Sequence, residues 1–203
     1  MIQRGEIMIK TQAMIIDELR EYGNPKTKLA RMVKEGKYTK IIRGIYETDN
    51  KTPGYLLAGS IYGPSYLSFE FALSYYGMIP ETVHVFTCAT FDKKKKRTYN
   101  TSFGNFSYRD VPANVYPLGV VLKTEGEYTF QIATREKALC DKLYTFKPAS
   151  NQRKLRTMLS DDLRIDRNEI LSLDEEELRD ISEAYHSTNV KLLYKLYKKE
   201  IDK

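Results

Sequence analysis

Apolar positions along the first fifty residues begin at helical spacing and end in a denser run of β-branched and aromatic residues. Met14, Ile15 and Leu19 share one helical face over Thr11–Tyr22, and Gly23 stops that segment. Asn24 suits an N-cap and Pro25 the first helical position, because proline lacks only an N–H that a helix start leaves orphaned. Leu29, Met32 and Val33 follow at i, i+3 and i+4, so the next helix should bury them before ending at Gly36. Tyr38–Ile42 and Ile45–Thr48 then read as two strands around Arg43-Gly44, where glycine supplies the positive φ of a tight turn.

Thr48–Gly54 (TDNKTPG) reads as a linker and divides the chain into residues 1–50 and 51–203. In the second part Ser68 is placed to cap a helix over Phe69–Tyr76, with Glu70 complementing the dipole and Gly77 ending it. Val83–Thr90, Asn105–Arg109 and Tyr128–Ile132 read as strands, with Asp92–Thr98 as a hairpin tip. Thr134 caps Arg135–Phe146, in which Ala138, Leu139 and Leu143 form the buried stripe. Ser172 and Glu175 make a capping box for Glu175–Tyr185, and Asn189–Ile201 is a last helix with Leu193, Leu196 and Tyr197 on one side. The expected fold is α+β: a winged helix-turn-helix over 1–50, then a mixed α/β domain with a small sheet and flanking helices.

Charge sharpens the reading. Residues 1–46 hold 10 Lys/Arg and 5 Asp/Glu, whereas residues 47–203 hold 23 and 22, so the net charge of +6 is concentrated in the first quarter. A local positive field attracts a polyanion and releases its counterions. Opposite the apolar face of the second helix lie Thr27, Arg31 and Lys34, flanked by Lys26 and Lys28. Lys40 and Arg43 belong to the following hairpin. Arg and Thr facing a groove, with Lys beside them, meet the needs of base reading and phosphate clamping. A solvated amphipathic face also carries charge outward, and the adjoining basic hairpin is what favours DNA. A stand-alone transcriptional regulator, or a winged helix that docks protein, is the alternative.

Other classes fit less well. No run of about 18 apolar residues exists for a membrane span, and MIQRGEIMIK lacks the apolar core of a signal peptide. Cys88 and Cys140 stand far apart, as reduced buried thiols of a cytoplasmic protein would. The composition, 41% apolar and 30% charged over 203 residues, is that of an ordinary globular chain. A nucleic-acid-modifying enzyme needs carboxylates converging on a metal. The candidates Glu70, Asp141, Asp161, Asp162, His84 and His186 show no metal-ligand or nucleophile spacing, and Glu70 and Glu136 suit first-turn dipole partners. No enzyme activity, metal or cofactor is therefore expected. Lys93–Arg97 reads as a solvated loop, and Tyr62, Tyr66, Tyr75 and Tyr76 as packing rather than base-stacking residues.

Three segments, Leu29–Tyr46 (LARMVKEGKYTKIIRGIY), Pro64–Glu81 (PSYLSFEFALSYYGMIPE) and Ala133–Tyr144 (ATREKALCDKLY), resemble in order and spacing the AbiEi family of antitoxins and transcriptional regulators. The resemblance implies a winged helix that binds operator DNA and represses its own operon. It also implies a C-terminal domain opposing a nucleotidyltransferase-like toxin in a type IV, abortive-infection system, without a stable toxin complex. A monomer or dimer is compatible, with two protomers on an inverted repeat. One helix, Thr11–Tyr22, precedes the recognition helix, and residues 1–10 are too short and glycine-broken for another.

Overall fold

A computed structural model describes residues 9–201. Residues 1–8, most of the stretch expected to lack both a signal core and a further helix, lie outside them. β1 (Ile9–Thr11) runs directly into α1 (Gln12–Glu18), because the Thr11 hydroxyl accepts the Met14 N–H at 3.2 Å and starts the helix. α2 (Pro25–Lys34) begins on Asn24, whose side chain accepts the Thr27 N–H at 3.1 Å. β2 (Thr39–Ile42) and β3 (Ile45–Glu47) form the expected hairpin, with Gly44 at φ 85° in its turn. β1 joins as a third strand, so this antiparallel sheet has the order β1-β3-β2.

A small core of Ile15, Leu19, Leu29 and Tyr38, bordered by Met32, Val33 and Tyr46, holds these helices to the sheet. Met14, expected inside, is 45% exposed. α1 has only two turns, so its buried stripe is one residue wide and runs through Ile15.

The hairpin is also tied to the rest of the chain. Ile41 is buried in the larger core, with Ile9, Ile42 and Ile45 packed beside it. Residues 48–54, expected as a linker, form an ordered corner. Glu47 is fully buried, and its Oε1 accepts the N–H groups of Thr48 and Asp49 at 2.8 and 3.2 Å. Thr52 is buried as well. At Gly54 a Cβ would fall 2.1 Å from the Phe103 carbonyl oxygen, so this close backbone approach needs glycine.

A 3-10 turn (Gly54–Leu57) and α3 (Ala58–Ile61) lead into β4 (Tyr66–Leu67) and α4 (Phe69–Tyr75). Then come β5 (Val85–Thr90), β6 (Arg97–Thr101), β7 (Gly104–Asp110), β8 (Val120–Glu125) and β9 (Tyr128–Ala133). They form a six-stranded mixed sheet of order β6-β7-β5-β4-β9-β8. β5 runs parallel to β7 and β4 to β9, and the other neighbours are antiparallel.

α5 (Arg135–Tyr144) packs on α4 and under β9. The remainder is helical: α6 (Gln152–Thr157), a π turn (Met158–Asp162), α7 (Arg167–Leu171), α8 (Glu175–Ala184) and α9 (Thr188–Ile201). The molecule is thus α+β, as its apolar periodicities predict. Leu193, Leu196 and Tyr197 of α9 are buried as expected.

Three local expectations are corrected. The lysine run does not cap a hairpin: it joins β5 to β6, which are separated in the sheet by β7. Asp110, at the end of β7, fastens that crossover by accepting the Lys94 N–H and the Thr90 hydroxyl, both at 2.6 Å. Ser172 does not cap α8; Asp174 does, accepting the Glu177 N–H at 2.8 Å, while Ser172 Oγ donates to Glu169 O. Ser68 stands at the N-cap of α4 but makes no capping bond, because its hydroxyl is taken elsewhere.

Candidate nucleic-acid interface

Lys26, Thr27, Lys28, Arg31 and Lys34 all stand on α2, and Lys40 and Arg43 on the hairpin that follows. Leu29 is buried against Tyr38, so the helix turns Thr27, Arg31 and Lys34 outward at i, i+4 and i+7. Lys26 is exposed too. Lys28 is half-buried, with its ammonium 4.6 Å from the centre of the Tyr22 ring. α2 carries no acid in its first turn, so the positive end of its dipole adds to Lys26 and Lys28 rather than being neutralised.

Arg31 pairs with Glu35 at 3.5 Å, and Lys37 reaches the other oxygen of Glu35 at the same distance. All three side chains are more than 40% exposed, and pairs this wet contribute at most ~1 kcal/mol. A phosphate can exchange with Glu35 at little cost. Lys40 lies opposite Tyr46 in the hairpin register and points to solvent, and Arg43 is exposed in the turn. Tyr46 borders the small core that also holds α2, which positions the hairpin against the helix.

The segments Pro64–Glu81 and Ala133–Tyr144 meet inside the protein. Tyr66 and Ser68 come from the first, Lys137 and Asp141 from the second. Asp141 Oδ2 accepts the Ser68 hydroxyl at 2.6 Å and the Tyr66 hydroxyl at 3.0 Å. Its Oδ1 accepts the Lys137 ammonium at 2.6 Å and the Tyr185 hydroxyl at 2.5 Å. Lys137 and Asp141 are fully buried, and the Lys137 ammonium lies 4.9 Å from the Tyr185 ring and 5.7 Å from the Tyr66 ring. Burial first, then the Asp141 charge, pushes both tyrosine hydroxyls far above their ordinary range, so they remain donors.

A buried carboxylate with four donors ties α5, β4, the start of α4 and the end of α8 together. Sequence reasoning missed it. The available signal was the Lys137/Asp141 pair one helical turn apart, flanking the apolar stretch Ala138-Leu139-Cys140 of α5.

Glu70 and Glu136 also do more than complement helix dipoles. Glu70 Oε1 accepts the Lys142 ammonium at 2.5 Å, and Arg109 lies 3.5 Å from Oε2 with its guanidinium 4.6 Å from the Phe69 ring. Glu136 is buried and accepts the Asp174 N–H at 2.8 Å, joining α5 to the start of α8. Asp161 accepts the Ser160 hydroxyl at 2.6 Å, and His84 and His186 are exposed. Among the described residues no group of three or more His, Cys, Asp or Glu is gathered as a metal site.

Tyr66 packs as expected, buried with its ring 5.0 Å from that of Tyr116. Tyr75 is 41% exposed, and the Lys123 ammonium sits 4.6 Å from its ring and 4.8 Å from that of Tyr76. Cys88 and Cys140 are free and buried, and burial drives both thiols well above their ordinary range. No helix among the described residues is long and apolar enough to cross a membrane.

No family model and no curated protein matches this chain.

Proposed function

We propose that the chain is a sequence-specific DNA-binding transcriptional repressor and the antitoxin of a type IV, AbiE-like system, opposing a nucleotidyltransferase-like toxin from the cytoplasm. The observation that carries the DNA-binding part is the outward face of α2. Thr27, Arg31 and Lys34 are exposed in one row, with no first-turn acid and a basic hairpin next to them. The order strand–helix–helix–hairpin, with β1 closing a three-stranded sheet, supports reading residues 1–50 as a winged helix with α2 as recognition helix. Thr27 and Arg31 read base edges, while Lys26, Lys28, Lys34, Lys40 and Arg43 hold phosphates or enter the neighbouring groove. The antitoxin part rests on the resemblance of the three segments.

The test is a gel-shift titration against the DNA upstream of the protein's own gene and a scrambled control, at two salt concentrations. Preferential retardation should weaken with salt by about −0.9 in log–log slope per phosphate contacted. An Arg31→Ala/Lys34→Ala double variant should lose it. Unchanged affinity of that variant, or no retardation by the parent, rejects the interface and moves the winged helix to protein docking. Co-expression with the neighbouring toxin gene tests the second half: unrelieved growth arrest rejects the antitoxin role.

A further inference from the structure

We infer that the C-terminal helices carry a second binding surface, a cleft that takes an acidic protein segment bearing leucine-type side chains. It lies between α6, the π turn, α7 and the end of α9. One part, of about 450 Å³, is floored by Leu159, Ile165, Ile170, Leu171 and Leu196, with Arg156 and Arg167 at its mouth. A second part, of about 570 Å³, adjoins it at Arg156 and presents Arg153, Lys195 and Lys199 beside Leu192. Among the described residues that line both parts, five cationic side chains accompany one carboxylate, Glu200.

That carboxylate organises the mouth. Glu200 is 9% exposed and takes Arg156 on one oxygen and Arg167 on the other, the latter at 2.7 Å, while the two arginines remain 48% and 63% exposed. Each guanidinium has five N–H donors, so both keep outward edges for an incoming carboxylate. Held in place beforehand, they lose little further freedom on binding. Asp166, which caps α7 by accepting the Asn168 N–H at 2.7 Å, does not line the cleft.

The floor distinguishes the occupant. A nucleic-acid track couples cations to aromatic rings on which bases stack. Among the described residues every apolar side chain of the lining is aliphatic. Aliphatic floor with cationic rim is the complement of a short amphipathic segment that inserts leucine-type side chains and sets carboxylates on the arginines and lysines. This surface is separate from α2 and does not depend on DNA binding.

The experiment is selection of a random 12-residue peptide-display library on the intact protein, followed by anisotropy titration of the recovered peptides. Recovered sequences should combine Asp or Glu with spaced Leu, Ile or Met. Their affinity should fall at least tenfold in Lys195→Glu/Lys199→Glu and in Leu171→Asp, with thermal melts and retardation of duplex DNA unchanged. Recovery of basic or uncharged sequences, equal binding by both variants, or no enrichment overturns the inference. So does a 20-nucleotide RNA bound by the parent and lost in the lysine variant without any peptide selectivity, which assigns the cleft to nucleic acid.

Discussion

The Lys137 ammonium lies 2.6 Å from Asp141 Oδ1, one helical turn along α5, and neither side chain reaches solvent. The pair is locked by hydroxyls from β4, the start of α4 and the residue ending α8. Removing one member leaves the other as an uncompensated buried charge, which costs about 3–5 kcal/mol. Asp141→Asn should therefore lower stability by that amount in urea unfolding. A Lys137→Met/Asp141→Asn variant should recover part of the loss, because no uncompensated charge remains and the Asn oxygen can still accept from the surrounding hydroxyls. If the double replacement were as damaging as the sum of the singles, this account of the pair would be wrong.

Glu177 bears on the pH dependence of the same region. Burial raises its carboxyl above the ordinary range; the Thr134 hydroxyl at 2.8 Å pulls it down, and the neighbouring Glu136 charge pushes it up again. The folded state therefore binds this proton more tightly than the unfolded state. Its contribution is fully present below the ordinary carboxylate range and is lost as pH rises through the raised value. Glu177→Gln keeps an oxygen for Thr134 and removes the charge. It should raise the melting temperature at pH 7 to 8 and flatten this limb of the stability curve.

Glu70 has the opposite sign. Burial pulls its carboxyl upward, but the Lys142 hydrogen bond and charge, with help from Arg109, outweigh burial and leave it below its ordinary value. Its contribution is present above the ordinary carboxylate range and is lost as pH falls through the lowered value. Glu70→Gln should lower the melting temperature at neutral pH, and the effect should shrink as pH falls through the lowered value. A uniform loss across the whole pH range would point to packing instead.

Ile41 belongs to the hairpin by sequence and to the large core by packing. Truncating a buried isoleucine costs about 2–5 kcal/mol. Ile41→Ala should lower global stability by an amount in that range. It should also speed proteolysis within residues 48–54, where the ordered corner depends on the hairpin staying seated. Loss of stability without new cleavage there would place the effect in the sheet alone.

Alternation and punctuation made much of the fold legible. Asn24-Pro25, Gly44, Thr134 and the α9 stripe predicted their elements because each acts through neighbours within about one helical turn. Ser68 and Ser172 misled for the same reason. Both have capping chemistry, yet Asp141 and Glu169, distant or outside the capping pattern, take their hydroxyls. The outward row of Thr27, Arg31 and Lys34 was legible, since the apolar stripe of α2 dictates which of its side chains point to solvent.

The α+β class, most helix and strand positions, and the concentration of positive charge in the first quarter can be read from the chain directly. Local torsional preference, apolar period and charge count decide those, and all are written in consecutive residues. Long-range packing settled that Asp141 is fully buried, that β7 separates β5 from β6, and that Ile41 anchors the hairpin to the larger core. These outcomes depend on which remote surfaces meet. Burial is set there, and burial determines whether a carboxylate is a solvated charge or the centre of a lock.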